Sequence, residues 1–197
     1  MADDLVSDPV PRRGNWFSER LGRLGLALLR WRIEGQLPPV PQCVMIVAPH
    51  TSNWDFLVGL SVMLALRLRV SWLGKGSIFR FPFRKLLRFL GGIPVKRTAR
   101  DGVVTAAVRG FEQSPQLYVA LSPEGTRKRV TRWKNGFHRI ARGAGVPLLL
   151  VTMDYRTRTV GFGPLYEPGP DFEADERELK ARFEPAMAYH PANYSPN

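Results

Sequence analysis

Apolar positions along this chain switch between a helical and an extended period, and the switches mark out its elements. From Asn15 to Ile33, on a wheel of about 100° per residue, Phe17, Leu21, Leu24, Leu28 and Trp31 fall on one side while Arg20, Arg23 and Arg30 gather on a neighbouring flank. This predicts an amphipathic helix, ended by the linker Gly-Gln-Leu-Pro-Pro-Val-Pro-Gln, whose three prolines cannot continue it. Such a helix can dock on its own domain, or it can lie in a lipid interface with its arginines near anionic headgroups. The stretch before it, residues 1–14, has no periodicity and reads as disordered.

Beyond the linker, short β-branched or apolar runs alternate with helical stretches. Cys43–Ala48, bounded by Pro49, predicts a buried strand, and Trp54–Arg67 a buried helix. A strand at Val70–Leu73, a short helix at Phe83–Leu90 with basic Arg84, Lys85 and Arg88, a strand at Ile93–Val95 and a helix at Gly102–Gln113 follow. Next come a strand at Leu117–Leu121, a helix at Trp133–Ala144 and strands at Val146–Met153 and Arg158–Phe162. A polar helix at Glu173–Phe183 and an irregular end close the chain. The alternation predicts a single α/β domain: a central mixed sheet flanked by helices, with an N-terminal amphipathic helix at 15–36 and a site built from loops at strand ends.

Composition narrows the partners. With 197 residues, 44% of them hydrophobic, one domain has ample material for a core. The formal charge of +12 is uneven: residues 1–166 carry 26 Lys and Arg against 10 Asp and Glu, whereas the acidic helix and tail at 167–197 carry 3 against 7. A basic body suits an anionic partner, whether nucleic acid, an anionic membrane surface or a phosphorylated substrate. Nucleic acid is disfavoured, because the five tryptophans (Trp16, Trp31, Trp54, Trp72 and Trp133) are spread through apolar segments instead of forming a basic stacking platform. Phe56–Leu66, the longest uncharged apolar run, falls short of the roughly 18 residues a spanning helix needs. The acidic start lacks the order of a signal peptide, and the lone Cys43 in an apolar stretch suits a reducing, cytoplasmic compartment.

Four short runs could carry chemistry. In His-Thr-Ser-Asn-Trp-Asp, residues 50–55, the imidazole follows a strand, and three N-cap residue types put Asp55 in the first turn of a helix. There the carboxylate can hold one ring nitrogen of His50 and leave the other as a base, although a satisfied structural histidine is the commoner fate of such a residue. No Gly-x-Ser-x-Gly elbow is present, so a base here would act on a substrate's own hydroxyl. Three scattered histidines and one cysteine have no metal-ligand spacing. Ser122-Pro-Glu-Gly-Thr-Arg127 ends a predicted strand: Gly125 permits a tight turn, Arg127 can grip a phosphate, and Glu124 can bind a hydroxyl or hold an arginine. Gly91–Arg97 can present Lys96 and Arg97 at a pocket mouth. Each of these, and Val146-Pro147-Leu148, is by itself an ordinary turn or strand end.

Their order is what carries a resemblance. His-x4-Asp, then Gly-Ile-x-Val-x-Arg, then Pro-Glu-Gly-Thr-Arg, then Val-Pro-Leu resembles the glycerolipid acyltransferases of the 1-acylglycerol-3-phosphate acyltransferase type, over roughly Val44–Met153 and including Lys134-x-Gly136. The resemblance implies an acyltransferase domain at 37–166 with His50 as general base and Asp55 as its partner. It implies a phosphate site at Arg97 and at Glu124, Gly125, Thr126 and Arg127, with Lys75 and Lys96 as further basic positions and Pro147 shaping an acyl pocket. The implied donor is acyl-CoA or an acyl carrier protein, the acceptor a lysophospholipid, with no cofactor, and the implied location is the inner face of the membrane. Ser122 stands where the family often has an aromatic residue, Lys128 where a small polar one is usual, and Lys96 where an acid is frequent. The added positive charge suits a phosphate more than a neutral headgroup.

Overall fold

The structure, a computed structural model, describes residues 9–95 and 100–195. Seven strands form one mixed sheet: β1 (Arg32–Glu34), β2 (Gln42–Ala48), β3 (Val70–Lys75), β4 (Gly92–Val95), β5 (Leu117–Leu121), β6 (Leu148–Asp154) and β7 (Thr159–Tyr166). Their order is β1-β7-β6-β2-β5-β3-β4. The block from β6 to β4 is parallel throughout, while β7 pairs antiparallel with β6 and carries β1 alongside it. β1 is an edge strand within the stretch expected to be helix and linker.

The α-helices among the described residues are α1 (Trp16–Leu29), α2 (Trp54–Ala65), α3 (Arg84–Phe89), α4 (Arg100–Gln113), α5 (Gly136–Ala144) and α6 (Phe172–Lys180). Alternation along β2 sorts the core into two layers, as the strand period requires. Cys43 and Met45 join Val58, Val62 and Leu26 on the α1/α2 face, and Val44, Ile46 and Ala48 join Phe137, Ile140 and Leu179 on the α5/α6 face.

Two expectations change at the ends of the chain. Pro9–Gly14 is packed, not loose: Val10 is buried, and the Arg13 amide donates to the Arg67 carbonyl at 2.7 Å; residues 1–8 lie outside the described residues. The helix expected to reach Ile33 stops at Leu29, where Arg30 takes a left-handed conformation (φ 59°). This break splits the predicted apolar stripe. Trp31 turns into the core, whereas Phe17, Leu21, Leu24 and Leu28 stay 52–75% exposed. α1 packs on α2 through its opposite side, where a Cβ on Gly22 would sit 2.2 Å from the Ala65 amide nitrogen. So close an approach is open only to glycine.

The acidic end is also part of the domain. Leu179, Phe183, Ala188 and Tyr194 are buried in the α5/α6 core layer. α6 is clamped on the basic segment that follows β5: the Lys180 ammonium donates to the Thr131 carbonyl, Glu176 accepts from the Trp133 amide at 2.6 Å, and Arg132 pairs with Glu173 at 2.7 Å. Lys180 and Glu176 are themselves a buried pair at 3.0 Å. Part of the acidic stretch is thus spent on contacts within the domain.

Candidate active site

Strand order explains which loops meet. β2 lies between β6 and β5 and parallel to both, so the segments leaving their C-terminal ends are neighbours along one edge of the sheet. The β2 exit carries His50, the β5 exit carries Ser122–Arg127, and the β6 exit carries Tyr155.

His50 Nδ1 lies 3.1 Å from Asp55 Oδ2, the pair formed across the first turn of α2. Asp55 is 1% exposed, and its oxygens also accept from the Ser52 amide (2.8 Å, Oδ2) and the Tyr155 hydroxyl (2.6 Å, Oδ1). Burial pushes its carboxyl up, but the bond and charge of His50, then Tyr155 and the Ser52 amide, outweigh this and hold it below its ordinary value. Asp55 is therefore an anion at neutral pH. The His50 ring is 24% exposed, and its Nε2 has no hydrogen-bond partner among the described residues.

A second histidine pair shows what a closed version looks like. His138 Nε2 lies 3.0 Å from Asp175 Oδ2 and 3.1 Å from the Gly169 carbonyl, and its side chain is 5% exposed. That pair fastens α5 to α6. Of the two pairs, that of His50 is the more open, with a ring 24% exposed against 5%.

Glu124 is placed differently from expectation. Both its oxygens accept from the His50 backbone amide (3.2 and 3.1 Å), the Ser122 hydroxyl lies 3.3 Å from one of them, and the side chain is buried. Instead of facing an acceptor hydroxyl or an arginine, it braces the backbone of His50. Burial pushes its carboxyl up to about 7, against the lowering effect of the His50 amide and charge and of Ser122.

Gly125 takes φ +62°, and Lys134 crosses directly over it: the ammonium donates to the Gly125 carbonyl at 3.2 Å, and the Lys134 amide donates to the Pro123 carbonyl at 2.8 Å. A Cβ at position 125 would lie 2.3 Å from the Lys134 Nζ. Thr126 accepts from the Lys128 amide at 3.3 Å, and Arg127 is exposed and makes no ion pair among the described residues. Lys75 ends β3, level with Ala48 through the registers Trp72–Ala120 and Ala120–Met45. It is exposed on the same edge, two strands and roughly 10 Å from the β2 exit. Lys96 and Arg97 lie outside the described residues.

Pro147 does not join this cluster. It precedes β6, whose first residue pairs with Val44, so it sits at the opposite end of the sheet, roughly 20 Å along the strands from His50. Its carbonyl accepts from the Val44 amide at 3.0 Å, a strand-anchoring contact. A Val-Pro-Leu run reads identically at either end of a strand, and only the parallel register decides.

Tyr155 was missed. Its signal was weak, a lone tyrosine after an apolar strand, and nothing local tied it to Asp55. Its ring packs edge-on against Trp31 (centroids 4.7 Å) and Tyr189 (5.1 Å), and its amide donates to the Met187 carbonyl. The tail thus reaches the site: the His190 amide donates to the Thr51 hydroxyl at 3.1 Å. No group of three or more potential metal ligands occurs among the described residues.

An imidazole held by a buried carboxylate, with an open nitrogen beside a glycine-turned loop bearing a free guanidinium, is suited to deprotonating a hydroxyl on a molecule with an anionic head. Comparison with known proteins identifies the fold and the family. A solved structure, that of the 1-acyl-sn-glycerophosphate (LPA) acyltransferase PlsC from Thermotoga maritima, shares the fold with a TM-score of 0.63 and 17% identity, over 84% of this chain and 74% of that one. No curated protein matches. The acyltransferase family model matches residues 31–154, which include both site loops, and the chain belongs to the acyltransferase family.

Proposed function

We propose that this enzyme moves a fatty acyl group from a thioester, acyl-CoA or an acylated carrier protein, to the free hydroxyl of a lysophospholipid, with 1-acylglycerol-3-phosphate as acceptor and phosphatidic acid as product. The observation that carries this is the His50 ring, fixed through Nδ1 by Asp55 and open at Nε2, next to the Glu124–Arg127 loop. His50 Nε2 takes the proton as the acceptor oxygen attacks the thioester carbonyl. The tetrahedral intermediate collapses by breaking the carbon–sulfur bond, and the departing thiolate takes the proton back from the imidazolium. Asp55 offsets the imidazolium charge, an arrangement typically worth ~10²–10⁴ in rate.

Arg127, with Lys75 at the same edge, supplies positive charge for the acceptor phosphate. The exposed stripe of α1, Phe17, Leu21, Leu24 and Leu28 with Arg20 and Arg23 beside it, supports peripheral seating on an anionic membrane on the cytoplasmic side. No described helix is long and apolar enough to cross a membrane. The test is acyl-CoA consumption, read as free thiol, over a panel of lysophosphatidic acid, other lysolipids and glycerol 3-phosphate. Thiol release with lysophosphatidic acid and near-silence in His50→Ala are expected; equal release by the variant overturns the assigned base, and preference for another acceptor reassigns the headgroup.

A further inference from the structure

The stretch from Ile78 to Phe89 inverts the usual order of a soluble surface. α3 buries no residue at all. Phe81 is 95% exposed, and Phe83, Leu86 and Phe89 are 52–65% exposed. The last three follow an i, i+3 spacing that puts them on one side, with Arg84, Lys85 and Arg88 beside them, also exposed. Large apolar groups gathered in water mark a docking surface.

This surface joins another. The Arg13 guanidinium lies 4.2 Å over the Phe89 ring, and α1 starts three residues later with exposed Trp16 and Phe17. The end of α3 is therefore tied to the segment that leads into α1. At the other end, Phe81 follows the exit of β3 and the short 3-10 turn Gly76–Ile78, on the edge that carries Lys75 and His50.

We propose that the Phe81–Phe89 arm inserts into the surface of an anionic lipid layer, a contact separate from α1 that fixes which edge of the sheet faces the lipid. The choice of lipid rests on the site acting on a membrane-held acceptor, and the charge of the arm supports it independently. From Phe56 to Arg100 the sequence has no Asp or Glu, so every charge on the arm is cationic and matches anionic headgroups above acyl chains. A second copy of this chain is a poor occupant for the same reason, since a symmetric contact would set arginine against arginine. With the arm and α1 both engaged, the acceptor's hydroxyl reaches His50 from within the lipid layer.

The test uses the full chain and vesicles of phosphatidylcholine, with or without one quarter phosphatidylglycerol, in sedimentation assays needing no turnover. A Phe81→Ser/Phe83→Ser variant is expected to lose at least about tenfold in partitioning to the anionic vesicles, with α1 intact. Arg84→Gln/Lys85→Gln is expected to lose affinity for anionic vesicles alone and to flatten the salt dependence. Both variants should turn over a short-chain lysophosphatidic acid, kept monomeric, within about twofold of the parent. Unchanged partitioning of both variants overturns the proposal, as does a parent dimer in light scattering that the phenylalanine variant converts to monomer. Because partitioning is read without catalysis, a wrong choice of acceptor would show in the turnover arm alone.

Discussion

The Tyr155 hydroxyl donates to Asp55 Oδ1 across 2.6 Å, while Asp55 Oδ2 faces His50. A carboxylate with one oxygen fixed from behind cannot rotate away from the imidazole. Tyr155→Phe should therefore lower kcat about tenfold with little change in either KM, and it should cost about 1.5–3 kcal/mol near neutral pH. The sign with pH follows from Asp55 being held low. Its contribution to stability is present above the ordinary carboxylate value and is lost as pH falls through the folded value. Removing a donor raises that folded value, so the acid limb of the kcat profile should move to higher pH. A pH–rate profile identical to the parent's would reduce Tyr155 to packing.

Glu124 gives the opposite sign. Its carboxyl is raised to about 7, so its contribution is fully present below the unfolded value near 4.5 and is lost as pH climbs through about 7. The difference is about 3 kcal/mol. Thermal unfolding across pH 4–8 should thus show the parent losing ground at the upper end relative to Glu124→Gln, whose neutral amide still offers one acceptor to the His50 amide. Glu124→Ala removes the brace and should lower kcat further than Glu124→Gln does. Equal kcat values in the two variants would show that the brace has no bearing on His50.

Arg127 is exposed and free of internal partners among the described residues, which suits a ligand-binding guanidinium. Arg127→Ala should raise the acceptor KM about tenfold or more and leave the donor KM within about twofold, with folding unaffected. Initial rates with each substrate varied in turn would check this. The reverse pattern would move the phosphate site elsewhere on the edge.

Gly22 sits where α1 touches α2 backbone to backbone. Gly22→Ala should cost about 1–3 kcal/mol by forcing the helices apart, visible as a lower denaturation midpoint. Gly136, with nothing within 4 Å of an added Cβ, is the matched control. Gly136→Ala should be neutral or slightly stabilising, since alanine is the better helix former; a loss there equal to that at Gly22 would show that the α1–α2 contact is not the cause.

Strands of alternating or unbroken apolar residues were legible, because a period of two survives any tertiary context. Leu117–Leu121 has the same bounds in the structure, and Cys43–Ala48 differs by one residue. The His50–Asp55 contact was legible for the same reason, being confined to one loop and the first turn of a helix. What sequence could not supply was register. Pro147 moved to the far end because β6 runs parallel to β2, and Tyr155 entered because the same pairing carries the β6 exit to the site. The stripe on α1 left docking and lipid contact both open in the sequence; the glycines decide what packs, because Gly22 and Gly25 make the seam and leave the larger apolar residues outside.

The tail contacts have a bearing on how the enzyme is made. Thr51 receives the His190 amide, Tyr155 donates its own amide to Met187, and Tyr194 is buried within reach of the Glu124 charge. A nascent chain holding every motif residue from His50 to Arg127 would still lack the tail residues that pack against the candidate site. Turnover should begin only after the ribosome has delivered the stretch through Tyr194, so translation arrested before that point should yield a chain without activity.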